Sequence, residues 1–170
     1  ADSSGSGYTG TLTNMSGTEW TTGKIGNALS LDGTNDYVEA IGYKGITGTS
    51  ARTVALWLKT STSGTMPLVS YSSGGADGTN FWLALFANQA NFNWGGSAVT
   101  AGSSLADGVW HHLAVTIPDN GTSGDVVLYV DGVGTNGSGS MLINTGINPP
   151  AGGVFMGGEL FSTRRRTHLR

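Results

Sequence analysis

The chain has 170 residues, 29 of them glycine, with no cysteine and only 11% charged residues. That length supports one domain with its own core, and no disulfide contributes to it. Residues 1–163 carry four cations against eleven acidic groups, and four arginines in 164–170 bring the net charge to −3. An acidic body argues against nucleic acid, which selects a basic face. No apolar run reaches the roughly 18 residues that a membrane span needs.

Short apolar runs separated by Gly, Ser, Thr and Asn predict an all-β chain rich in tight turns. Tyr8 to Thr13 gives the first strand signal. Lys24 to Leu31 and Tyr37 to Ile41 read as two strands joined by the turn-forming run Asp32-Gly33-Thr34-Asn35-Asp36. Arg52 to Thr60 sets Val54, Leu56 and Leu58 on one face and Ala55, Trp57 and Lys59 on the other. Met66 to Tyr71, Phe81 to Ala87, Asn91 to Trp94 and Ala98 to Ala101 follow. Trp110 to Thr116 and Val126 to Val130 read as strands folded back on each other. Leu113, Val115 and Ile117 alternate on one, Val126, Leu128 and Val130 on the other, and Asp131-Gly132 makes a tight turn after the second. Met141 to Ile143 and Val154 to Met156 complete the series. Ten or so short strands imply two packed antiparallel sheets.

Several of these stretches occur together in a characteristic order: Asp2-Ser3-Ser4-Gly5 through Leu12, Gly23-Lys24-Ile25-Gly26-Asn27-Ala28-Leu29, Asp36-Tyr37-Val38, Thr53 to Thr60, and the Trp110 and Tyr129 strands. Their conjunction over residues 2–158 resembles a laminin-G-like domain of the concanavalin A-like lectin/glucanase jelly roll, in a branch abundant in secreted bacterial proteins. The resemblance implies an all-β sandwich with one concave and one convex sheet, a secreted location and a binding role. Two departures accompany it. Relatives carry an apolar strand before the Asp2-Ser3-Ser4-Gly5 element. They also end in a strand resembling Gly-x-Ile-Asp-Asp-Val-Arg-Ile-Tyr, where this chain has Gly157-Gly158-Glu159-Leu160 and then arginines. The expectation is a sandwich lacking the usual first and last strands, residues 1–163 forming the domain and 164–170 a basic tail.

Hydrolysis by glucanases of this fold needs carboxylates at strand spacing, with acid and nucleophile about 5–5.5 Å apart in a retaining enzyme. Glu19, Glu39 and Glu159 are isolated, so a non-catalytic protein is expected and a glycoside hydrolase is disfavoured. His111 and His112 are adjacent, face opposite ways on a strand and cannot chelate one metal; they read as scaffold. Calcium prefers carboxylate, amide and backbone oxygens. By resemblance to the pentraxins, the Asp77-Gly78-Thr79-Asn80 loop and the Gly158-Glu159 loop lie near each other, which makes Asp77, Asn80 and Glu159 the candidate ligands for one calcium ion. Gly78 stands where pentraxins have an amide. Asp32, Asn35 and Asp36 form a second candidate.

Flat aromatic rings flanked by amides suit sugars, and Asp77, Asn80, Trp82, Asn93 and Trp94 are the candidate ligand contacts. The expected function is a carbohydrate-binding or adhesion module for a glycan or extracellular surface ligand. The alternative is an assembly subunit that self-associates by strand pairing at open sheet edges.

Overall fold

The computed structural model describes residues 2–71, 77–146, 153–157, 159–161 and 164–166, with Gly153 and the last two stretches described by backbone alone. Its strands in chain order are β1 (Thr11–Thr13), β2 (Trp20–Thr22), β3 (Asn27–Leu29), β4 (Tyr37–Ile41), β5 (Arg52–Lys59), β6 (Met66–Tyr71), β7 (Phe81–Phe86) and β8 (Gln89–Gly95). They continue with β9 (Ser97–Ala101), β10 (Trp110–Ile117), β11 (Val127–Val130), β12 (Val133–Asn136), β13 (Gly153–Met156), β14 (Glu159–Phe161) and β15 (Arg164–Arg166). The described residues contain no helix.

Two antiparallel sheets make the sandwich. One has seven strands in the order β1-β4-β13-β6-β7-β8-β9, the other four in the order β12-β11-β10-β5. Alternation decides what each strand buries. Leu113 pairs with Val130 and Val115 with Leu128, and all four side chains enter the core opposite Phe81, Leu83, Phe92 and Val99 of the larger sheet. Leu83, Phe92, Leu113, Val115 and Leu128 are fully buried. Each such side chain contributes about 1.5–3 kcal/mol through burial.

Turn chemistry sets the hairpins. Asp131 and Gly132, joining β11 to β12, have φ of 50° and 84°, the doubly left-handed geometry that twisted two-residue hairpins require. Ala87 and Asn88 repeat it between β7 and β8 with φ of 50° and 65°.

The strand pairing departs from expectation in two places. The Asp32–Asp36 run does not join a hairpin: β3 pairs with β2, whereas β4 lies between β1 and β13. Leu142 makes only an isolated bridge to Thr122 where a strand was expected. β14 and β15 form a separate two-stranded pair, with Phe161 opposite Arg164.

β5 closes the four-stranded sheet on one side and, among the described residues, pairs with β10 alone. Its inward residues Val54, Leu56 and Leu58 pack on the core but stay only partly buried. The sandwich is therefore sealed over β7–β11 and open beside β5.

Candidate functional site

Register across the seven-stranded sheet brings residues from distant parts of the sequence into one line. Thr11 lies opposite Glu39, Glu39 opposite Phe155, and Phe155 opposite Ser70. Ser70 then faces Trp82, Trp82 faces Asn93, and Asn93 faces Ala98. Their neighbours in sequence (Val69, Tyr71, Phe81, Leu83, Phe92, Trp94) form the core. Because the side-chain period of a strand is two, the row itself lies on the outer face. Seven strands at about 4.8 Å spacing make a row roughly 29 Å across.

Trp82 is the aromatic centre of this face and is half-buried. Its indole Nε1 is buried without an acceptor among the described residues, an unusual condition for a polar group. Asn93 accepts the Gly95 backbone N–H through Oδ1 at 2.8 Å, which fixes the amide beside Trp82. One pleat further, Asn91 donates through Nδ2 to Thr100 Oγ1 at 3.1 Å. Glu39, Phe155 and Ser70 are buried, so that half of the row is covered, and Trp82 with Asn93 is its more open part. Phe86, at the end of β7, is 54% exposed.

Of the sequence candidates, Trp82 and Asn93 are brought together by register. Asn80 lies one strand end away, its backbone N–H donating to Trp94 O at 3.1 Å. Asp77 is exposed, its carboxylate against Gly96, where a Cβ would overlap it. Trp94 is a correction. It is 1% exposed and points inward, its ring tilted against Phe92 at 6.0 Å, so it presents no face to a ligand. Alternation along Asn91–Trp94 was legible, but the aromatic side of that strand is the core side. Glu39 and Ser70 were not picked out by the sequence, because only cross-strand register aligns them with Trp82.

The cation candidates differ in how their oxygens are used. Asp32 Oδ1 accepts the backbone N–H groups of Thr34 at 2.7 Å and Asn35 at 3.2 Å, and Asp36 Oδ2 accepts that of Asp32 at 3.0 Å. The Thr34 bond, then the Asn35 and Asp36 contacts, outweigh burial and hold the Asp32 carboxyl below its usual range. This cluster is thus engaged as a turn. At the other candidate, the Gly78 and Thr79 carbonyls already accept from Asn144 and Gly146, and the Glu159 side chain lies outside the described residues. Among the described residues no three acidic or histidine side chains converge as for a metal. Asp77 and Asn80 fall short of the six or so oxygens that calcium takes.

His111 and His112 turn to opposite sides, as their adjacency requires. His111 lies between Asp107 (3.2 Å) and Asp131 (2.7 Å). The His112 ring meets the edge of Trp57 at 5.1 Å.

A family model described as the concanavalin A-like lectin/glucanases superfamily, of laminin-G type, matches residues 32–167. The chain belongs to this superfamily. Among solved structures the laminin-G-like chain is similar to the mouse laminin alpha1 chain, domains LG4-5, at 22% identity and a TM-score of 0.49. That alignment covers 75% of this chain and 35% of the other, so the laminin-G-like chain spans about a third of that structure. No curated protein matches it. Laminin-G-like domains occur in extracellular proteins and commonly mediate binding and adhesion.

Proposed function

We propose that this laminin-G-like domain is a non-catalytic, extracellular glycan-binding module whose ligand lies across the outer face of the seven-stranded sheet. The observation that carries the reading is the half-buried Trp82 ring with Asn93 set beside it by register on the outer face. A sugar presents an apolar ring face and a rim of hydroxyls, and this pair offers an aromatic ring with an amide beside it. Glu39 is the one carboxylate in the row, whereas retaining hydrolysis needs a pair about 5–5.5 Å apart. That favours binding over catalysis. Asp77 and Asn80, on the loop before β7, would offer two oxygens at most, so a calcium ion there would take the rest of its shell from ligand and water.

The test is a glycan array probed with and without a calcium chelator, followed by calorimetry on the strongest hit. Trp82→Ala is expected to weaken binding about tenfold or more, in line with a buried aromatic anchor. An array with no signal in either condition, or affinity indifferent to Trp82→Ala, overturns the reading. If binding withstands chelation, the sugar site stands without the ion.

A further inference from the structure

A groove of about 710 Å³ opens at the side of the sandwich beside β5, away from the Trp82 face. Its walls are the inward residues Val54, Leu56 and Leu58 of β5 and, from the larger sheet, Leu68, Val69 and Val154. The Gly23–Leu31 segment flanks its mouth. Two kinds of unmet demand coincide here. The inner side chains of β5 remain partly exposed, and among the described residues β5 is paired on its β10 side only. An edge of eight residues, about 26 Å long, presents a row of backbone donors and acceptors to any strand laid beside it.

Charge is distributed unevenly around this opening. The body has four cations, Lys24, Lys44, Arg52 and Lys59. Three of them line the groove, and Lys44 sits between the lining residues Tyr43 and Gly45. The ion pairs among the described residues are those of His111, and none of these four cations takes part in one. Lys24 Nζ stands 5.5 Å over the Trp57 ring, and Trp57 and Lys59 share the outer face of β5 by alternation. Arg52, on the inner face, is 3% exposed and donates to the Ile46, Gly48 and Ser50 carbonyls. Two exposed lysines, Lys24 and Lys59, thus stand at the rim of an apolar slot in an otherwise acidic body.

We propose that this groove docks one extended segment of a partner protein whose residues alternate between apolar and acidic, adding to β5 as a fifth strand of the smaller sheet. Its apolar side chains enter between the sheets against Val54, Leu56 and Leu58. Its carboxylates emerge on the outer face beside Lys24 and Lys59. This is strand addition, in which main-chain hydrogen bonds supply affinity and alternate side chains supply specificity. A second copy of this chain is a poorer occupant. The other edge strands of the two large sheets, β1, β9 and β12, contain no carboxylate.

The test uses a capped eight-residue peptide alternating valine or isoleucine with glutamate. One control replaces each glutamate with lysine; another is N-methylated at alternate backbone nitrogens. The glutamate peptide is expected to bind about tenfold or more tightly than either control and to weaken as salt rises. Hydrogen exchange should slow at the β5 amides that point away from β10. Lys24→Glu with Lys59→Glu alters exposed positions only, and this double variant should reverse the preference towards the lysine peptide. Binding without added protection on β5, equal affinity for the lysine peptide, or no response to the double variant overturns the proposal. So does a stable dimer by light scattering, which would place a second copy on this edge. Competition by the array's strongest glycan is not expected, so failure here and failure at the Trp82 face are distinguishable.

Discussion

Asp131 Oδ2 lies 2.7 Å from His111 Nδ1, while the same carboxylate accepts the His112 backbone N–H through Oδ1 at 2.8 Å. One side chain in a hairpin turn therefore pins the start of β10, two strands away in sequence. The Asp131 bond, assisted by Asp107, raises the His111 pKa against a smaller opposing effect of burial. The bond to His111 and then the His112 N–H lower the Asp131 pKa.

A pH dependence follows, with opposite signs at its two ends. The imidazolium contribution is complete below the unfolded histidine value of about 6.5 and is lost as pH rises through the higher folded value. The Asp131 contribution is present above the ordinary value of about 3.9 and is lost as pH falls through the lower folded one. Asp131→Asn keeps a residue suited to the turn but removes the charge. It should cost less than about 1 kcal/mol, as expected for a partly exposed pair. It should also return the His111 titration, followed by NMR, towards 6.5 or so. An unchanged His111 titration in the variant would refute the assignment.

The two left-handed turns predict opposite responses to glycine. Nothing lies within 4 Å of a Cβ placed on Gly132, so Gly132→Ala meets only the conformational penalty, about 1–2 kcal/mol. At Ala87, with φ of 50°, that penalty is already present. Ala87→Gly should raise stability by up to about 1 kcal/mol after the greater freedom of glycine in the unfolded chain is subtracted. Denaturant unfolding of both variants measures the pair.

The two tryptophans of β7 and β8 should separate binding from stability. Trp94→Ala removes a fully buried ring and should cost about 3–5 kcal/mol. Trp82→Ala, on the outer face, should cost less in chemical denaturation yet carry the loss of glycan affinity. Equal destabilisation by both would make Trp82 a core residue in function.

Arg52 offers a fourth check. Its guanidinium serves the carbonyls of Ile46, Gly48 and Ser50 together with Thr145 Oγ1, and Arg52→Met strands them. The expected loss is about 3 kcal/mol or more, since each unpaired buried acceptor carries its own desolvation cost. Arg52 also opposes the burial that pushes the neighbouring Tyr71 phenol up to about 12. That raised value stabilises the fold below about pH 10, and the contribution is lost as pH climbs towards the folded value. Absorbance titration of tyrosinate should show a late-ionising component in the native protein that Tyr71→Phe removes.

Much of the fold is legible in local pattern. Tyr37–Ile41 and Met66–Tyr71 coincide with β4 and β6 end to end, and the pairing of β10 with β11 follows from alternation flanked by turn formers. Val133–Asn136 carries little alternation and becomes a strand because the Asp131-Gly132 turn folds it onto β11. The partners of β4 are set by long-range pairing with β1 and β13, which the intervening turn residues do not report. The site follows the same division. Trp82 and Asn93 stand out through the alternation of their own strands, whereas Glu39 and Ser70 join them only through register across five strands.

The placement of β13 between β4 and β6 has a consequence for synthesis. Residues 153–156 leave the ribosome after every other strand of the seven-stranded sheet, yet they occupy an interior position in it. The β6–β9 meander can pair as it emerges, but β1 and β4 cannot join it until this late strand arrives. Until then, the facing edges of β4 and β6 wait without partners. The interval between translation of Tyr71 and of Met156 is thus when the nascent chain is most prone to pair with its neighbours on a polysome.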